Sequence, residues 1–294
     1  MAAPPVTPFT VAYILGSGHC GSTLLSLLLN GHPRMLGLSE LRKIRVVMRQ
    51  PETSSERNPL HGDLWARVRA RYESTYGTAF ADLAIDHPSW MTFARWSRER
   101  IQAWAEPGVR LLSTIAAESG RDILVDSSKS WQQLYLLRRS GRMPIKVLHV
   151  LRDGRAVLHS YKRKYDNFLY CFGQWAKPTA MAAVLRPLFA DDEWLPVHYE
   201  ALATDPEGTL AQVCQFLGTE FAPSMLRFRS HPWFGIRGNR MAQGASEEIR
   251  LDEKWRRDLP RRERLLFDLL GGPLNRFYGY SWRGTPPAPG PDPR

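Results

Sequence analysis

This sequence predicts a three-layer, P-loop-like α/β fold with a central parallel sheet and a helical insertion, on three observations. Short β-branched and aromatic runs alternate with helical stretches along most of the 294 residues, the pattern of strands covered by helices on both faces. A glycine-spaced loop, Gly16-Ser17-Gly18-His19-Cys20-Gly21-Ser22-Thr23, separates the first such run from the first helix, in the order strand, loop, helix. Between residues 51 and 110 the strand-like runs stop, and Trp65, Trp90, Trp96 and Trp104 stand in stretches of helical spacing; this is the insertion.

In chain order, Thr10 to Leu15 (TVAYIL) reads as a buried strand, and Ser22 to Leu29 (STLLSLLL) as a helix ending near Asn30-Gly31-His32-Pro33. Met35 to Leu38 is a second short strand that delivers Ser39-Glu40-Leu41-Arg42 to a basic helix. After the insertion come strand Asp122 to Asp126, helix Ser130 to Arg139, strand Ile145 to Leu151 and helix Asp153 to Arg163. Residues 165–190 read as a loop and helix beside the site, followed by strand Leu195 to Tyr199 and helix Pro206 to Leu217. Residues 1–284 are expected to form one domain and 285–294, rich in proline, a disordered tail.

Lys and Arg number 40 against 29 Asp and Glu, a formal net charge of +11. This balance suits a polyanionic ligand, an acidic acceptor or nucleic acid. The basic residues are dispersed among acids and aromatics, as solvated helix faces are, so no nucleic-acid partner is expected. Cys20, Cys171 and Cys214 are too far apart in sequence for a CxxC zinc site and form no disulfide framework. With no signal-like N-terminus and no apolar run of about 18 residues, the expectation is a cytoplasmic chain without a membrane span.

The loop keeps a phosphate cradle but has Ser22 where nucleotidases carry lysine. Backbone N–H groups of residues 18–23 would face an anion from a helix N-terminus. The second motif, Leu151-Arg152-Asp153-Gly154-Arg155-Ala156-Val157-Leu158-His159-Ser160, follows a strand and opens a helix, which places Arg152 at the carboxyl edge of the sheet. Arg152 and Ser160 suit a phosphate clamp; a salt-bridge cluster of Arg152, Asp153 and Arg155 is the other reading.

The loop GHCGSTLL, the segment RDGRAVLHS and the later VHYEAL resemble the PAPS-dependent sulfotransferases, which move a sulfuryl group from 3′-phosphoadenosine 5′-phosphosulfate (PAPS) to an acceptor, leaving PAP. The resemblance spans residues 10–42, 122–164 and 195–218. It implies that His19, Cys20, Gly21, Ser22, Thr23 and Leu24 hold the 5′ end of PAPS and that Arg152 and Ser160 hold the 3′-phosphate, with no metal. The family usually has lysine or arginine at the position of His19, where it steadies the leaving phosphate; histidine does this as a cation or as a neutral donor, and its pKa should rise beside a bound polyanion. Lys129, after the strand in VDSSK, is similar to a lysine placed near the transferring group. Near Glu40 the chain resembles the tyrosylprotein branch, which implies Glu40 as the general base with Arg42 close by. Tyr199 resembles a nucleotide-contacting tyrosine, and Arg237, Gly238 and Asn239 fall where the family closes a late basic loop over the 3′-phosphate.

His32, His149, His159 and His198 are alternative bases, though His32 reads as a turn residue and His149 and His198 as packing residues. Trp233 and Phe234 either stack on adenine or anchor their loop. The acceptor is expected to be a carbohydrate, aromatic or lipid-like molecule held by the insertion and residues 165–190. Two rivals stand beside this reading: a P-loop kinase or nucleotidase, with Asp126 as magnesium carboxylate, and a catalytically silent protein binding phosphometabolites or nucleic acid.

Overall fold

A computed structural model describes residues 8–49, 60, 62–85, 89–236 and 247–282. Strand β1 (Thr10–Leu15) leads through the glycine loop into helix α1 (Ser22–Asn30), and β2 (Met35–Ser39) returns alongside. A short 3-10 turn (Leu41–Lys43) and α2 (Ile44–Met48) follow, then α3 (Asp63–Tyr76), α4 (Trp90–Phe93) and α5 (Arg98–Ser119). The alternation resumes with β3 (Ile123–Asp126), α6 (Trp131–Ser140), β4 (Ile145–Leu151), α7 (Gly154–Lys162) and α8 (Phe168–Leu185), then β5 (Trp194–His198), α9 (Tyr199–Thr204) and α10 (Pro206–Leu217). Helices α11 (Trp255–Asp258), α12 (Arg261–Leu270) and α13 (Gly272–Phe277) end the described chain.

The five strands are all parallel, in the order β2-β3-β1-β4-β5. Side chains alternate across β1. Val11, Tyr13 and Leu15 enter one core with Leu111, Leu112 and Ile115 of α5 and Leu134 and Leu137 of α6. Ala12 and Ile14 enter the other with Leu24, Leu25 and Leu28 of α1 and Leu210 and Val213 of α10. Helices thus cover both faces, as the unbroken apolar strands require. The parallel register brings every strand's carboxyl end to one edge, and the loops after β1, β2, β3 and β4 meet there.

Two elements differ from the sequence expectation, and at a third place the structure favours one of two readings. The last insertion helix runs on to Ser119 rather than stopping near 110, carrying Pro107 within it; burial of Leu111, Leu112 and Ile115 against the sheet outweighs the lost backbone bond. Tyr199 opens α9 instead of ending a strand. Trp233 and Phe234 serve as anchors at the outer edge of β2. Trp233 packs over Gly37, the Trp65 indole N–H donates to the Phe234 carbonyl at 3.1 Å, and Ile236 N–H donates to Leu38 O at 3.1 Å. Arg237, Gly238, Asn239 and the expected tail 285–294 lie outside the described residues.

Candidate active site

Among the described residues, the three non-glycine residues with positive φ are His19 (60°), Ser39 (58°) and Lys129 (56°). Each lies at or just beyond the carboxyl end of a strand: β1, β2 and β3 respectively. Such backbone is uncommon for residues with a Cβ and clusters at functional sites.

The loop itself is shaped by close approaches. Gly21, with φ 99°, caps α1 without any side-chain hydrogen bond, and a Cβ there would stand 2.6 Å from the Tyr199 ring. Gly21 thus gives the first turn of α1 no side-chain cap, which leaves a helix N-terminus of the kind that attracts an anion. Cys20 and Leu24 are buried, while Thr23 is half-exposed beside Ser22. A Cβ on Gly18 would lie 2.0 Å from the Tyr161 hydroxyl.

Arg152 leaves β4 and turns back over this loop. Its Nη1 donates to the His19 carbonyl at 2.9 Å and its Nη2 to the Asp252 carbonyl at 3.0 Å, with the Asp252 carboxylate 3.3 Å away. The guanidinium lies 4.2 Å from the centre of the Tyr199 ring, and its Nε is buried without a hydrogen-bond partner among the described residues. The Tyr199 hydroxyl donates to Arg250 O and accepts from Asp252 N–H. Arg152 is thus separate from the salt bridge of its neighbours. Arg155 and Asp153 form their own buried pair at 2.7 Å, and Arg155 also donates to Ser281 O and Trp282 O. The Arg152, Asp153 and Arg155 cluster expected as the other reading is therefore not formed. Ser160 lies half-buried on α7, and no contact joins its side chain to Arg152 among the described residues.

Glu40 and Lys129 are brought together from β2 and β3. Lys129 Nζ donates to Glu40 Oε1 at 3.1 Å and to Ser127 O at 2.9 Å; Lys43 Nζ pairs with Glu40 Oε2. Burial pushes the Glu40 carboxyl up, but Lys129 and Lys43 outweigh it and hold it below the ordinary value. Asp126 is fully buried, and burial raises it to about 6. Its Oδ1 accepts from Ser128 N–H at 2.8 Å and Ser128 Oγ at 2.5 Å, and Ser128 Oγ accepts from Arg42 N–H at 3.2 Å. Asp126 therefore fastens the Glu40 turn to β3, a geometry unlike a carboxylate offered to magnesium.

His19 is pushed below its ordinary value by burial first and then by the positive charge of Arg152, Arg163, Lys129 and Lys164. The other histidines have structural positions. His32 sits beyond the far end of α1, where its ring accepts from Arg34 N–H at 3.1 Å. His149 is buried against Trp194 and Tyr278, and His198 meets the Tyr280 hydroxyl at 3.2 Å. His159 lies half-buried on α7. Sequence reasoning missed Lys43, Asp252 and Tyr161. Lys43 is three residues from Glu40 and Tyr161 follows Ser160 directly, whereas nothing in the sequence joins Asp252 to Arg152 across 100 residues.

The Arg152 guanidinium, Lys129 and the N-terminus of α1 meet at one sheet edge, an arrangement suited to anions. Residues 12–223 match the sulfotransferase family, and the chain belongs to that family. The sulfotransferase domain of the Synechococcus PCC 7002 olefin synthase is similar in fold, with a TM-score of 0.61 and 21% identity over 96% of this chain and 98% of that one. The sulfotransferase domain from the curacin biosynthetic pathway has a TM-score of 0.55 and 18% identity over 90% and 98%. No curated protein matches the chain in sequence. No helix of the described residues is long and apolar enough to cross a membrane.

Proposed function

We propose that this sulfotransferase uses PAPS as donor and a hydroxyl group as acceptor. The observation that carries the reading is a pair of anion sites on one sheet edge: the uncapped N-terminus of α1 and the Arg152 guanidinium bonded to the loop that precedes it. A donor charged at both ends of an adenosine suits that pair. His19, Cys20, Gly21, Ser22, Thr23 and Leu24 would hold its 5′ end. Arg152, whose buried Nε lacks a partner, would take the 3′-phosphate together with Ser160, with Tyr199 beside the nucleotide. Arg237, Gly238 and Asn239 are the proposed late-loop contacts.

Glu40 accepts the acceptor's hydroxyl proton as the new oxygen–sulfur bond forms and the bond from sulfur to the 5′-phosphate oxygen breaks. The electron pair leaves on that phosphate, where Lys129, His19 and the loop N–H groups offset its charge. The Glu40–Lys129 pair gives this sequence a physical logic. Rotation of Lys129 from Glu40 toward the leaving oxygen exposes the base and supplies a cation where charge develops. The acceptor is proposed as a carbohydrate, aromatic or lipid-like hydroxyl compound held between the insertion and α8, in a cytoplasmic setting.

The test is PAP release from PAPS across a panel of such acceptors. Glu40→Gln is expected to lower kcat by roughly 100-fold or more, as loss of a positioned base does, while PAP affinity holds within about twofold of native, an expectation from the absence of a proton-transfer role in binding. Full turnover by Glu40→Gln would remove Glu40 from the mechanism.

A further inference from the structure

Tyr161 stands at the loop with no assigned task. Its hydroxyl rests against Gly18, so closely that a Cβ there would be 2.0 Å away. Its ring meets His19 edge to face, with centroids 4.5 Å apart. Glycine at 18 is thus the residue that lets a phenol reach the mouth of the anion cradle. Among the described residues the hydroxyl has no hydrogen-bond partner, although Tyr13, Tyr199, Tyr278 and Tyr280 each use theirs. Burial pushes the phenol up to about 12, so it remains a proton donor throughout the neutral range.

From this placement we infer that Tyr161 is a donor-contacting residue, its hydroxyl hydrogen-bonding the 5′-phosphosulfate end of the nucleotide while its ring fixes His19. The inference rests on the PAPS reading above. The hydroxyl lies against Gly18, where the run of loop N–H groups begins, while the Arg152 guanidinium is held by other partners, His19 O and Asp252 O. Ring packing on His19 accounts for the aromatic part of Tyr161, and the hydroxyl, held against Gly18, remains available to a ligand in the cradle.

Tyr161→Phe keeps the ring and removes only the hydroxyl. Its binding of PAP, which carries both phosphates, is compared by calorimetry with its binding of adenosine 3′-monophosphate, which lacks the 5′ phosphate. A hydrogen bond to a charged group corresponds to roughly tenfold or more in affinity. The expected result is a loss of that size for PAP, no change for the 3′-monophosphate, and an unchanged Tm. Equal PAP affinity in native and variant chains overturns the contact while leaving PAPS as donor. So does an equal loss for both ligands, which marks a packing effect. A native chain that binds neither nucleotide overturns the donor reading first, and the contact with it.

Discussion

His19 stands in the glycine loop where the resemblance to PAPS-dependent sulfotransferases implies a lysine or arginine. Burial first, and then the positive charge of Arg152, Arg163, Lys129 and Lys164, lowers its pKa in the free protein. A polyanion in the cradle reverses the electrostatic part of that shift. With the pKa below the ordinary value when free and raised when bound, PAP binding takes up a proton between those two values, and affinity weakens as pH rises through that window, by up to about tenfold per unit. Calorimetry in buffers of different ionisation enthalpy should show this uptake for the native chain and none for His19→Lys. Absence of uptake in the native chain would mean that His19 never becomes the leaving-group cation. His19, Glu40, Lys129 and Arg152 stand out in the sequence as candidates because each falls in or next to a strand-end motif, and the structure brings all four to one sheet edge. Tyr161 does not stand out, because a tyrosine in a helix carries no local sign of the glycine it covers.

At the scale of elements, the glycine loop and α1 are held by their neighbours as much as by their own sequence. Gly21 combines left-handed backbone with the Tyr199 ring packed where a side chain would go. Gly21→Ala is expected to cost about 1–3 kcal/mol in denaturant unfolding and to abolish PAP binding by tilting the first turn of α1. Gly120→Ala, at a helix C-cap with φ 65° and open space around its Cβ, bears the backbone cost alone and should retain PAP binding. Similar ligand losses in both variants would show that general destabilisation, not cradle geometry, is responsible. The elements themselves were largely legible. Strands Thr10–Leu15 and Ile145–Leu151 and helix Pro206–Leu217 have the bounds that their apolar runs and flanking turn residues predict. The overrun of α5 was not legible, because Pro107 reads as a helix breaker and only contact with the sheet keeps the helix going.

On the scale of the whole molecule, alternation of strands and helices made a parallel sheet readable, but strand order and the long-range braces were not. The 247–282 segment is the clearest case: Asp252 reaches Arg152, Asn275 Oδ1 accepts from Gly154 N–H at 3.0 Å, and the Tyr280 hydroxyl donates to the buried Glu200 carboxylate at 2.8 Å. These contacts join residues 80–121 positions apart, where local periodicity carries no information. They support the β4 turn that presents Arg152, so the placement of its guanidinium depends on the last part of the described chain. The central claim is that the sheet edge reads a nucleotide phosphorylated at both its 3′ and 5′ ends. Its most direct test is thermal stabilisation by PAP, ADP and Mg-ATP, for the native chain and for Arg152→Ala. A ligand at about 100 times its Kd adds roughly 2.7 kcal/mol. The account predicts stabilisation by PAP well beyond ADP in the native chain, with that preference lost in Arg152→Ala; a magnesium-dependent preference for ATP, or no preference for PAP, would contradict it.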